Sequence, residues 1–264
     1  MRRWIVAGVA GVALVALAGV ATAADMPVKV QAPPPPPVWS WSGCYMGLNA
    51  GYGWGRNHVR DASETSAAGT VFAFTDFDFN TKGPFAGGQF GCNWQVSAAV
   101  FGVETDIQWA NVKGSVLFPN AIFNFPSGLF NTEVNSELRY FGTVRGRIGY
   151  SFAPWALLYA TGGFAYGEVQ SSLSFPFAVP LAVPNPFIDY SRRTHYGYAV
   201  GGGWEALLTP RLSVKAEYLY VDLGSGSHHF VIAGDTYSWN ERLKMHTFKL
   251  GLNFLLPWAV TARY

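Results

Sequence analysis

About eight stretches of this chain alternate apolar residues with polar residues or glycine in strict period two. Each is long enough to cross a bilayer as a tilted strand. In one, Gly88, Phe90, Cys92 and Trp94 share a face, and Gly87, Gln89, Gly91, Asn93 and Gln95 take the other. In the next, Phe101, Val103, Ile107 and Trp109 oppose Gly102, Glu104, Asp106 and Gln108. A soluble sandwich would hide the apolar face and wet the polar one. Here an export signal precedes the strands and aromatic residues recur at their ends. The inverse arrangement follows, with apolar residues toward lipid and polar residues toward a closed interior.

The export signal occupies the N-terminus. Arg2 and Arg3 form a charged start, Ile5 to Val20 an apolar core, and Ala21-Thr22-Ala23 a small-x-small cleavage site. Processing between Ala23 and Ala24 is expected, because the apolar run is short for a retained anchor. The organisation read from the chain is a secretory signal peptide at 1–23, a Pro-rich periplasmic leader at 24–40, a barrel at 41–256 and a periplasmic tail at 257–264. Pro33 to Pro37 favour an extended polyproline II spacer. No other stretch approaches the ~20 apolar residues of a membrane helix, so strands must make any crossing. Charged residues make up only 13% of the chain and aromatics 16%, which suits a barrel with aromatic girdles. The net charge of +2 gives no electrostatic case for a nucleic-acid partner.

The expected strands run over about 42–55, 84–95, 99–109, 137–150, 156–167, 195–207, 212–223 and 244–256. Tight turns at Val96-Ser97-Ala98, Ala153-Pro154 and Thr209-Pro210 alternate with long connections. The fold class is therefore all-β: a transmembrane, eight-stranded, antiparallel up-and-down β-barrel with short periplasmic turns and long extracellular loops. An even strand count puts both chain ends on the periplasmic side. A soluble lipocalin-like barrel would need the opposite polarity.

Charges fix which face points inward. Glu104 and Asp106 share a face of the third strand, and Arg139, Thr143, Arg145 and Arg147 share a face of the fourth. An Arg on lipid near the midplane costs ~2–4 kcal/mol, whereas inside the barrel carboxylate and guanidinium pairs meet. Glu205, Lys215, Glu217 and Lys249 join the same interior series. An eight-stranded interior is just wide enough for side chains to fill, so this network plugs the lumen. Paired carboxylates also do acid–base work elsewhere, but the structural reading is favoured here.

Cys44 and Cys92 fall on the lipid-facing series of neighbouring strands, near the periplasmic end. Two readings stay open, a pair of free thiols or a cross-strand disulfide, because register decides between them. His228 and His229, with Asp222 and Asp235 nearby, are read as a solvated loop, since a zinc site needs three or four convergent ligands. No metal or cofactor is expected. Apolar stretches at Val116 to Pro126 and Phe175 to Pro184 are read as loops packed on one another or continuing the strands. The first loop, from Val71 to Phe79, alternates as though its strands extend beyond the bilayer.

The run from Trp41 to Gly55, with Gly87-Gly88-Gln89, Gly91-Cys92-Asn93-Trp94-Gln95, Phe101 to Gln108, Gly142 to Tyr150, Tyr159 to Gly163 and Glu217-Tyr218-Leu219-Tyr220, resembles the small outer-membrane proteins of alpha-proteobacteria. These belong to the OmpA-like, opacity-type eight-stranded barrels, and the resemblance covers nearly all of the mature chain. Lys249, Gly251, Phe254 and Leu256 resemble the C-terminal signal that outer-membrane insertion machinery reads, although Pro257 and a tail follow. The resemblance implies a surface-exposed, non-enzymatic barrel in the Gram-negative outer membrane that supports envelope integrity and is often antigenic. Expected partners are outer-membrane lipids and lipopolysaccharide, the insertion machinery, and host or surface ligands reached through the loops. The alternatives are a small porin-like channel and, behind it, a lipid A-modifying barrel enzyme, which would need a nucleophile and a base at headgroup level. His195 and His246, near the extracellular strand ends, keep the enzyme alternative open.

Overall fold

The alternating stretches pair into one closed antiparallel ring. A computed structural model describes residues 39–73, 75–119, 131–175, 187–232 and 234–256. The signal peptide with Ala23 and Ala24, most of the leader, the tail, and the apolar runs at 120–130 and 176–186 lie outside the described residues. The strands are β1 (Gly43–Thr65), β2 (Val71–Ala73), β3 (Phe77–Val96), β4 (Ala99–Pro119), β5 (Asn131–Ala153), β6 (Ala156–Phe175), β7 (Phe187–Thr209), β8 (Leu212–Ile232) and β9 (Asp235–Leu255). Each long strand pairs with its sequence neighbour, and β1 pairs with β9 to close the ring, which abolishes the free edges of an open sheet. The three-residue β2 continues the ladder of β3 along the tip of β1.

Polarity follows the inverted pattern. On β1, Met46, Leu48, Tyr52 and Trp54 are exposed, while Tyr45, Asn49 and Asn57 are buried. On β4, Phe101, Val103, Ile107 and Trp109 face out, while Glu104, Asp106 and Gln108 are sealed inside. Short turns join β3 to β4, β5 to β6 and β7 to β8 at one end. Ser97, in the first of them, adopts a left-handed φ of 57°.

The strands are longer than the alternation suggests. β5 has 23 residues, so at ~3.3 Å per residue and a tilt near 45° it stands roughly 50 Å tall, about twice the ~25 Å apolar band of such barrels. The expected periplasmic ends agree with the structure, but the outer ends run on into the regions read as loops. β-Bulges at Trp109/Val112, Leu138/Tyr140 and Asp222/Ser225 break the period where those strands were expected to stop, and one at Arg60/Ser63 lies a few residues past the expected end of the first strand. Past the bulges the inward face changes parity on β1, β5 and β8, whereas β4 keeps Gln108 and Val112 on the same inward series.

Candidate functional site: a sealed, layered lumen

The interior is stacked in layers set by strand register. Nearest the periplasmic end, Trp41, Val100, Leu157, Tyr159 and Leu207 form an apolar floor. Above it lies the charged layer. Arg145 stands directly opposite Glu104 in the β4–β5 ladder, and Glu217 opposite Lys249 in the β8–β9 ladder. Arg145 Nη2 lies 2.8 Å from Glu104 Oε1, 2.8 Å from Asp106 Oδ2 and 3.0 Å from Glu217 Oε1. Lys215 Nζ donates to both oxygens of Glu104 at 2.7 Å. Lys249 Nζ reaches Asp106 at 2.7 Å and Glu217 at 2.9 Å. Arg147 Nη2 donates to Glu205 at 2.8 Å, and its guanidinium lies 4.1 Å over the Tyr159 ring.

Neutral groups complete the layer. Tyr45 hydroxyl donates to Glu104 at 2.6 Å and accepts from Arg147 at 2.8 Å. Tyr159 donates to Glu217, and Ser213 and Asn253 donate to Glu205. Four carboxylates thus face four cations, all buried. Glu104, Asp106 and Glu217 are close enough together to ligate a metal ion. Their oxygens are instead taken by the cations of Arg145, Lys215 and Lys249, so the layer is internally neutral.

An apolar layer closes over the charges, with Phe85 edge-on to Phe141 at 5.2 Å and Val112, Leu138, Val169, Leu219, Leu243 and Met245 around them. This differs from the expectation of a wholly polar interior. Beyond it sits a second polar layer of Asn57, Ser136, Ser171, His195, His228 and Glu241, all buried. Asn57, Ser136 and Ser171 all donate to the Glu241 carboxylate. His228 Nε2 is 3.6 Å from Glu241, and its ring lies 5.7 Å from that of His195. Burial pulls the His228 imidazole down to about 4, against the attraction of Glu241. The serines give their protons to the Glu241 carboxylate and not to an imidazole. A last apolar layer, including Val59, Phe79, Phe230, Tyr237 and Trp239, lies above it.

Of the residues expected in the lumen network, Glu104, Asp106, Arg145, Arg147, Glu205, Lys215, Glu217 and Lys249 come together. Arg139 does not. It lies at the Leu138/Tyr140 bulge, which turns its side chain outward, 3.8 Å from Glu168. His228 is likewise not in a solvated loop, because β8 carries it into the interior, while His229 points out. Both depend on bulge parity, which shifts the phase of the alternation beyond the spanning part of the strands. His246 faces outward, stacked on Trp54 at 6.1 Å and bonded through Nδ1 to the Tyr218 hydroxyl at 2.6 Å. Cys44 and Cys92 are direct partners in the β1–β3 ladder and are joined, with Sγ atoms 2.04 Å apart. Lys249, Gly251 and Phe254 lie in β9, with Leu256 just past its end.

A family model described as outer membrane protein beta-barrel domain matches residues 10–254. The 31 kDa outer-membrane immunogenic protein of Brucella melitensis biotype 1 is 32% identical over 240 residues, covering 89% of this chain and 92% of that relative. The 22 kDa outer membrane protein of Rhizobium leguminosarum bv. viciae is 30% identical over 222 residues, covering 84% and 81%. Among solved structures, the outer membrane protein OprG from Pseudomonas aeruginosa aligns over 81% of this chain and 97% of its own, with a TM-score of 0.46 and 10% identity.

Proposed function

We propose, from the premise that this chain belongs to the outer membrane protein beta-barrel domain family, that it is a structural, surface-exposed component of the Gram-negative outer membrane. In this reading it supports envelope integrity and presents its outer strands and loops to the surroundings. One observation carries the reading: the lumen is filled by alternating apolar and charge-balanced layers, which suits a load-bearing staple better than a pore. The naming of relatives as outer-membrane immunogenic proteins supports surface exposure. The same packing disfavours the porin-like alternative, because the charged layer leaves its cations paired with carboxylates.

A non-enzymatic role is supported by the second polar layer, where Ser136 and Ser171 serve Glu241 beneath an apolar cap. Binding of host or surface ligands through the outer loops, and recognition of Lys249, Gly251, Phe254 and Leu256 by the insertion machinery, belong to the same proposal. Cell fractionation with surface proteolysis, combined with planar-bilayer recording, tests it. The expected result is a surface-cleavable outer-membrane protein without stable conductance steps. Large steady steps would favour the channel, and an altered lipid A acyl pattern in a deletion strain would favour an enzyme.

A further inference from the structure

Outside the lumen, the cations on one side of the barrel stand in an order that like charges would not choose for themselves. Arg56 on β1 is directly opposite Lys244 on β9, and Lys82 on β3 is directly opposite Lys113 on β4. Arg56 pairs with Asn80, so Lys82 is its diagonal neighbour on the same outward face. Four adjacent strands therefore carry a continuous row of positive charge. Cross-strand pairs of this kind have Cβ atoms ~5 Å apart, and like charges so placed are destabilising.

The protein's own carboxylates answer only the ends of the row. Lys113 has Glu137 at 3.3 Å, and Lys244 faces Asp222, whose carboxylate already holds Arg242 at 2.7 Å. Asp78, the next acid up β3, is occupied by His58 at 3.0 Å and Arg60 at 2.7 Å. Arg56 and Lys82 are exposed and make no ion pair among the described residues. The centre of the row therefore offers its charge to an anion supplied from outside the chain.

Its level on the barrel identifies the anion. Trp54 is two residues below Arg56 on the same face and directly opposite Lys82, and beside it lie His246, Tyr218 and Tyr220. Aromatic residues of this kind mark the bilayer interface, where their rings sit at headgroup depth. The row borders that belt, with Lys82 level with Trp54 in the β1–β3 ladder and Arg56 one step beyond it. At the other end of the barrel, the turns between described strands carry a single cation, Arg211. From this asymmetry we infer that Arg56 and Lys82, flanked by Lys244 and Lys113, bind the phosphate groups of a phosphorylated glycolipid in the outer leaflet. The fork of Arg56 suits bidentate phosphate contact, and the lysine stems lie along the apolar wall while their heads reach the headgroups. The inference rests on the surface-exposed reading proposed above and adds, to the expected contact with lipopolysaccharide, the groups of the lipid and the residues that meet them.

The test uses the protein purified in detergent and follows its thermal unfolding midpoint in mixed micelles. Bisphosphorylated lipid A, the same lipid with its phosphates removed, and inorganic phosphate are compared. The midpoint is expected to rise with the phosphorylated lipid alone. Arg56→Gln combined with Lys82→Gln should lose at least half of that rise, yet unfold no earlier than wild type without lipid, because it relieves like-charge neighbours. Arg211→Gln should behave as wild type. Equal rises with both lipids, an undiminished rise in the double variant, or an effect of inorganic phosphate matching that of the lipid would overturn the inference. A protein that fractionates to the outer membrane and shows no phosphate-dependent rise overturns it too, while leaving the structural reading intact.

Discussion

Arg145 and Glu104 are direct partners in the β4–β5 ladder, and the 2.8 Å contact between them sits at the centre of the charged layer. The same nitrogen of Arg145 also touches Asp106 and Glu217, so one guanidinium serves three carboxylates. Arg145→Met keeps much of the stem and removes the charge. It should destabilise the barrel by about 3–5 kcal/mol, because buried carboxylates are left without compensation. A denaturant refolding midpoint in lipid vesicles measures it, and a midpoint equal to wild type would mean that the layer does not hold the barrel together.

Joining Cys44 to Cys92 ties β1 to β3 across a separation of 48 residues. Intact protein isolated without reductant should be lighter by two hydrogens than its reduced form. Replacing both cysteines by serine should cost about 2–4 kcal/mol, since the crosslink restricts the unfolded chain. Two titratable thiols in the unreduced protein would refute the bond.

His228 gives the outer part of the barrel a pH dependence with a definite sign. Its folded form is held neutral, with its pKa lowered to about 4 chiefly by burial, while the unfolded chain takes up a proton near the ordinary value of 6.5. The unfolded state therefore binds more protons between those values, and stability falls as pH drops from about 6.5 to about 4. The contribution is about 3 kcal/mol at most. Denaturation midpoints across this window should decline less steeply in His228→Asn, and parallel declines would show that other groups carry the effect.

Gly163 faces Arg145 in the β5–β6 ladder, and a Cβ there would lie 2.7 Å from the Arg145 Cα and against the Val144 carbonyl. Gly146 has only the Gly162 carbonyl, 4.0 Å away. Gly163→Ala should cost about 1–3 kcal/mol through overpacking, and Gly146→Ala much less. Comparing the two refolding midpoints checks whether backbone closeness in the lumen, rather than glycine content as such, limits substitution.

The spanning halves of the strands were legible because lipid on one side and a filled lumen on the other force every second residue to change character. Glu104 with Asp106 and Arg145 with Arg147 declare the inward face by charge alone. The outer halves were hidden by bulges, since one extra residue at Leu138/Tyr140 or Asp222/Ser225 reverses parity without altering composition. That is why period two alone puts Arg139 inward and leaves His228 to read as part of a solvated loop. The apolar layer around Phe85 and Phe141 was obscured for another reason, because an inward Phe flanked by Ala86 or Tyr140 reads like the lipid-facing residues beside it. The register that sets Cys44 against Cys92 is a property of the partner strand, and period two fixes it only to parity.

Because the hydrogen-bonded cylinder stands well clear of the acyl chains before it ends, the turn from Ser66 to Thr70 rides on a stiff mast. Whatever meets that tip meets it at a height set by the cylinder beneath. Substitutions there leave the hull beneath with its ballast of paired charge.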